Sequence, residues 1–151
     1  MFVTRRLDSS DLRVLELLRA DASLTLAELA QTLKMPRATV QYRVQKLKDL
    51  RAIKAIRAIP DFATLGRPIT VFLLVKFEPR PLALPERSLA NKIATMHGVE
   101  RVYMVSGEWD LLVEARVESV DVLSQLVIDR LRQTPGVAHT TTCVSLSAVK
   151  D

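Results

Sequence analysis

Two acids and the chain's single tryptophan crowd around one glycine in VSGEWDLL, residues 105–112. Glu108 and Asp110 invite a catalytic acid pair, a metal site, a plain hairpin turn, or a small recognition loop. Strand alternation over WDLLVEARVE (109–118) puts Leu111, Val113, Ala115 and Val117 on one side with Trp109. Asp110, Leu112, Glu114 and Arg116 share the other side. The turn therefore splits Glu108 from Asp110 instead of stacking them. No second cluster of carboxylates or histidines lies nearby in sequence to complete a metal site or a glycosidase-type dyad. On pattern alone, a Gly-containing hairpin with solvated acids is the favoured reading.

The other reactive side chains are weaker candidates. His139 and Cys143 invite a base–nucleophile pairing, but four residues on a strand separate them by about 13 Å, too far for a dyad. Both read as sheet residues. His97 ends a helix, where it is expected to satisfy the last carbonyls rather than ligate a metal. No Gly-rich phosphate loop, zinc spacing or nucleophile elbow is present. The one cysteine allows neither an internal disulfide nor a Cys-based zinc site, which points to a reducing cytoplasm. The longest aliphatic run, VFLLV (71–75), is far too short to span a bilayer, and MFVTRRLDSS lacks the apolar core and cleavage site of a signal peptide. No cofactor is expected.

Charge is unevenly spread along the 151 residues. Residues 1–60 hold twelve cations against six acids, a net of +6, and residues 61–151 hold ten against eleven, a net of −1. A basic N-terminal third on a near-neutral body suggests that one end meets a polyanion.

That third reads as three short helices. DSSDLRVLELLRAD starts at an Asp8 cap, with apolar residues 14, 15 and 18 in one stripe. TLAELAQTL opens with a Thr25–Glu28 capping box. In PRATVQYRVQKLKDL, Val40, Val44 and Leu47 form a narrow stripe that must dock on the first two helices, and Pro36 fits only at the helix start. Three helices so tightly linked make a helix-turn-helix. On the side away from the stripe fall Ala38, Gln41, Tyr42, Gln45 and Asp49, with Arg37, Arg43, Lys46 and Lys48 on the flanks. Glutamines suit adenine edges and cations suit phosphates, so double-stranded DNA is the expected partner. The candidate contacts are Arg37, Ala38, Thr39, Gln41, Tyr42, Arg43, Gln45 and Lys46.

AIKAIRAIP (52–60) reads as an extended arm or strand and FATLGRP (62–68) as a linker. Beyond it the order is strand 69–78, helix 85–97, strand 99–106, strand 109–118, helix 119–134 and strand 137–147. That βαββαβ order is the ferredoxin-like plan. Gly98 and Gly136 sit at matching helix stops in a weak internal echo. Ile69, Val71, Leu73, Val75 and Phe77 share one face of the first strand, and Phe72 and Leu74 share the other. Helices cover only one face of such a sheet, so the second apolar face calls for sheet-to-sheet dimerisation.

LDSSDLRVLELLRADASLTLAELAQTL, the PRATVQYRVQKL helix, the IKAIRAIPDFATLG arm and VYMVSGEWDLL together resemble the Lrp/AsnC, or feast/famine, family of transcriptional regulators. The Gly-x-x-Asp hairpin at 107–110 is the most specific piece. The resemblance implies an α+β chain, with a winged-type helix-turn-helix domain and hinge strand (1–61) and a ferredoxin-like domain (62–151) that dimerises and binds an amino acid. It further implies higher homo-oligomers such as an octamer, with the effector at the interface between dimers. The hairpin would line that pocket, with N–H groups around Ser106 and Gly107 holding a carboxylate, Asp110 taking the ammonium, and Glu108 beside it. Tyr103, Val105, Thr140 and Thr142 would be walls. Three residues depart from the family pattern: Lys34 and Arg51 replace turn glycines, and Pro36 replaces the serine cap of the third helix. Some relatives are sirohaem decarboxylases, which differ around the arm after that helix. An effector-binding oligomerisation partner with a weak DNA helix is a further alternative.

Overall fold

Asp8 opens the first helix in a computed structural model that describes residues 7–78 and 85–149. The chain divides between Ile59 and Pro60 into two compact units. In the first unit, α1 (Ser9–Ala20) begins with a reciprocal cap. The Asp8 carboxylate accepts the Asp11 N–H at 2.9 Å, and the Asp11 carboxylate accepts the Asp8 N–H at 2.9 Å. α2 (Leu26–Leu33) starts the same way, with Glu28 N–H donating to Thr25 Oγ1 and Thr25 N–H to Glu28 Oε2. α3 (Arg37–Asp49) begins after Pro36, which offers no side-chain cap. Val14, Leu29, Leu33, Val40 and Leu47 are buried where the three helices meet, and Val44 packs against them half-buried. The expected stripe on the third helix is therefore the face that docks, each fully buried aliphatic contributing about 1.5–3 kcal/mol before entropy is counted.

The link from α2 to α3 turns at Lys34, whose φ is 53°. Lys34 N–H donates to Gln31 O at 3.2 Å and Met35 N–H to Ala30 O at 3.0 Å, so the helix ends in a Schellman-type cap built on a lysine. Arg51, with φ 55°, bears the same strain after α3. A glycine has no Cβ to clash in this region. Lys34→Gly is expected to stabilise the first unit by about 0.5–1 kcal/mol, once the greater freedom of unfolded glycine is subtracted. A urea melt of the two proteins checks this, and equal midpoints would remove the strain argument. Residues 54–60 form neither helix nor ladder. The expected hinge strand is thus an exposed arm, with no strand paired to it among the described residues.

In the second unit β1 (Ile69–Phe77) is followed by α4 (Glu86–Ala94), β2 (Val99–Met104), β3 (Leu111–Val117), α5 (Val120–Ser124) and β4 (Val137–Val144). The sheet order is β2-β3-β1-β4 with every pairing antiparallel, which is the expected βαββαβ arrangement. α5 runs on as a π-helical stretch, Gln125–Leu131, where a regular helix was expected. The wider turn points Leu126 and Leu131, five residues apart, into the same core. Val71, Leu73, Val75 and Phe77 of β1 and Leu111, Val113, Ala115 and Val117 of β3 are buried with Leu89, Ile93 and Leu123. Gly98 and Gly136 take φ 86° and 97°, as helix stops should.

The opposite face of the sheet carries Phe72, Leu74 and Leu112 half-buried and Tyr103 exposed. Glu114 lies among them, accepting from Arg101 and Arg116 at 3.1 Å each. The expected linker is not free. Phe62 packs under the Arg67 and Arg116 guanidinium groups, 4.9 and 4.7 Å from its ring centre, and Arg67 bonds Glu100 at 2.7 Å.

Candidate functional sites

α3 presents one edge to solvent because its opposite stripe is committed to the core. Arg37, Ala38, Gln41, Tyr42, Gln45, Lys48 and Asp49 are exposed, with Tyr42 59% accessible, and Thr39 is half-buried. Gln45 Nε2 donates to Asp49 Oδ1 at 2.8 Å, one turn along the same edge.

Arg43 and Lys46 do not stand free on the flanks, which corrects the sequence expectation. Arg43 Nη1 donates to both oxygens of Asp8, at 2.7 and 2.8 Å, and to Asp11 Oδ1 at 2.7 Å. Lys46 Nζ reaches Asp11 Oδ2 at 2.5 Å. Asp11 is fully buried, so two cations of α3 converge on an acid shielded from water at the start of α1. The Arg43 guanidinium, then the Asp11 N–H, pull the Asp8 carboxyl down to a pKa of about 2. Burial pushes Asp11 up, but bonds from Lys46, the Asp8 N–H and Arg43 outweigh it, and its pKa is lowered. The spacing in the sequence is compatible with this clamp but does not specify it. Two acids three apart open α1, and two cations three apart sit on α3.

The second candidate lies between β2 and β3. Their ladder stops at Met104 and Leu111, two residues earlier on each side than expected, and Val105 N–H closes the loop on Asp110 O at 3.0 Å. Beyond that stop Asp110 turns to β1. Its N–H donates to Val75 O at 3.0 Å, and its Oδ2 accepts the Phe77 N–H at 2.8 Å. Oδ1 lies 3.3 Å from Lys76 Nζ. Trp109 and Asp110 are therefore loop residues, and Asp110 staples the loop to the end of β1.

Val105, Ser106, Gly107 and Glu108 are exposed at the tip. Gly107 has φ 131°, and a Cβ placed there would meet no atom within 4 Å, so its backbone is open to approach. Glu108 has no ion-pair or hydrogen-bond partner among the described residues. The acids of this loop are thus unequal: Asp110 is spent on the fold and Glu108 is free.

The eight residues of the expected pocket do not all converge. Val105, Ser106, Gly107, Glu108 and Asp110 share one loop, and Tyr103 adjoins it on β2. Thr140 and Thr142 lie on β4, at the other edge of the sheet, with β3 and β1 between. They pair with Val75 and Leu73, which puts them on the helix side, away from Tyr103. Thr140 Oγ1 accepts from Arg132 Nε at 3.0 Å, beside an open cleft of about 310 Å³ lined by Arg132, Val137, Ala138, His139 and Thr140. His139 and Cys143 stand exposed along β4. His97 is exposed and makes no hydrogen bond in the described residues, so the helix-end role expected for it is not seen. Among the described residues no three His, Cys, Asp or Glu side chains are grouped to hold a metal. No described helix is long and apolar enough to cross a membrane.

Residues 7–48 match the AsnC-type helix-turn-helix domain, and residues 70–151 match the Lrp/AsnC ligand binding domain. The chain is 37% identical over 145 residues to an uncharacterized HTH-type transcriptional regulator of Pyrococcus horikoshii, covering 96% of each protein. Its fold is similar to that of a transcriptional regulator from Neisseria meningitidis solved as an L-Met complex, with TM-score 0.89 and 22% identity over 97% of this chain and 94% of that one. It is also similar to a feast or famine regulatory protein from M. tuberculosis complexed with L-methionine. There the TM-score is 0.86 and the identity 25%, over 97% and 96% of the two chains.

Proposed function

The chain belongs to the Lrp/AsnC family of transcriptional regulators, and on that premise we propose that it binds specific DNA sequences with an occupancy set by an amino acid. The observation that carries the DNA reading is the outward edge of α3, where Ala38, Gln41, Tyr42 and Gln45 are exposed opposite the stripe of Val40, Val44 and Leu47 that docks on the core. That edge enters the major groove, where Gln41 and Gln45 can each pair with an adenine. Thr39 and Tyr42 border it, and Arg37 and Lys48 neutralise phosphates. Arg43 and Lys46 act one step back, by fixing the helix on Asp11.

The amino acid binds at the 105–110 loop. Backbone N–H groups around Ser106 and Gly107 hold its carboxylate. Glu108, the free acid, takes its ammonium, a role first expected of Asp110. Asp110 works instead as a positioning residue, through Phe77 and Lys76. Tyr103 and Val105 form a wall. Thr140 and Thr142 can join this pocket only from another protomer, which fits a site at an interface between subunits. The apolar face around Phe72, Leu74 and Leu112 is where two sheets pack to form the homodimer, and dimers assemble further, for example to an octamer. The effector acts by favouring one assembly over another, so DNA occupancy follows. In this reading the chain is a cytoplasmic regulator without catalytic activity, and it needs no cofactor.

Fluorescence anisotropy on DNA from upstream of its own gene tests the α3 assignment. Gln41→Ala and Gln45→Ala are each expected to cost about 1–3 kcal/mol on that duplex and little on an unrelated one. Equal losses on both duplexes would take base readout away from α3.

A further inference from the structure

The arm that leaves α3 repeats a cation–Ala–Ile triplet three times: Arg51-Ala52-Ile53, Lys54-Ala55-Ile56, Arg57-Ala58-Ile59. Beyond the Arg51 turn the arm lies outside any helix or ladder, and in an extended chain with three residues per turn Lys54 and Arg57 would stand about 9 Å apart along one edge. The arm is anchored at its root. Ala52 and Ile53 pack on the helix-turn-helix core, and Ile53 N–H donates to Leu47 O at 3.1 Å. From Lys54 to Ile59 every residue is exposed, and none lies in a helix or ladder.

The arm's charge is uncompensated. No acid occurs between Asp49 and Asp61, and Arg51, Lys54 and Arg57 have no ion-pair partner among the described residues. This contrasts with α3 itself, where Arg43 and Lys46 are consumed by Asp8 and Asp11. The inward commitment of those two cations leaves few positive charges on the reading helix to meet a backbone. The arm emerges from the C-terminal end of that helix, an end that commonly lies against the phosphates when such a helix enters the groove.

We propose that Arg51, Lys54 and Arg57 form a second DNA-contacting element, a basic arm that tracks the phosphate backbone beside the groove read by α3. The inference rests on the DNA-binding reading above and adds to it a site that contributes affinity without sequence preference. Ile53 supplies the anchor, so the cations face away from the core it joins.

The test is the salt dependence of DNA binding by the full chain and by its Lys54→Gln/Arg57→Gln variant. Arg51 is left in place because it holds the positive-φ turn. Each lost phosphate contact lowers the slope of log K against log salt by about 0.9, so the variant's slope should fall by about 2 for each arm engaged on the duplex. Affinity for the cognate and an unrelated duplex should drop by the same factor, with the melting temperature unchanged. An unchanged slope in a folded variant overturns the proposal. So does an unchanged slope accompanied by altered sedimentation, which would assign the arm to pairing between copies of the chain. If the wild-type protein retards no DNA at low salt, the regulator reading itself fails and the arm proposal falls with it.

Discussion

Asp11→Ala is expected to destabilise the helix-turn-helix unit by roughly 3 kcal/mol, a large share of what so small a unit can hold. Asp11 is fully buried and accepts from Arg43, Lys46 and the Asp8 N–H. Truncation leaves two cations turned inward with half their compensation gone, and it orphans a capping donor at the start of α1. The ion pairs themselves contribute less than this, because desolvating the charges offsets much of their attraction. The loss falls on the remaining cations. Asp49→Ala removes an exposed acid whose side chain meets only Gln45 among the described residues, so it should change stability by less than about 0.5 kcal/mol. A urea melt of the variants checks both figures. Acid should act through the same clamp. The folded pKa values of Asp8 and Asp11 lie below the ordinary value of 3.8, so their contribution is complete above about pH 5. It fades as the pH falls toward 2, where Asp8 protonates even when folded. Asp11→Ala should flatten that acid limb. A wild-type and a variant that lose stability in parallel would show that the clamp is not the acid-sensitive element.

Asp110→Ala is expected to weaken amino-acid binding at least tenfold while leaving the melting of the N-terminal unit unchanged. The carboxylate ties the 105–110 loop to Phe77 and Lys76, and without it the backbone N–H groups of the tip lose their fixed direction. Asp110→Asn keeps an oxygen for the Phe77 N–H and should retain most of the affinity. Glu108→Gln should do the reverse, costing about tenfold or more through the lost charge on the ammonium without loosening the loop. A thermal-shift screen of the twenty amino acids identifies the ligand, since binding to the folded state alone raises the melting point, and calorimetry on the three variants then separates the roles. Full affinity in Asp110→Ala would refute the positioning role. Full affinity in Glu108→Gln would return the ammonium to another group.

The two sites were unequally legible in the amino-acid sequence. The docking stripe of α3 followed from Val40, Val44 and Leu47 because a helix has one period and one apolar side to bury. Caps at Asp8 and Thr25 followed from local rules that need only four residues. The βαββαβ order was likewise visible in the alternation of apolar runs and glycine stops. The inward turn of Arg43 and Lys46 was not, since their partners lie more than thirty residues away and a solvated flank suits the same side chains. The commitment of Asp110 to Phe77 N–H depends on where the end of β1 lies beside β3, which strand alternation does not encode. Thr140 and Thr142 were grouped with the hairpin by family resemblance, and only the strand order places them at the far edge of the sheet.

The most direct test of the central claim is a linked titration on the full chain. DNA affinity is measured with and without a saturating amino acid, and amino-acid affinity with and without DNA. Regulation by the 105–110 site predicts that the ligand changes DNA affinity by about fivefold or more, and that DNA changes ligand affinity by the same factor. An amino acid that binds the protein yet leaves DNA affinity untouched would contradict it.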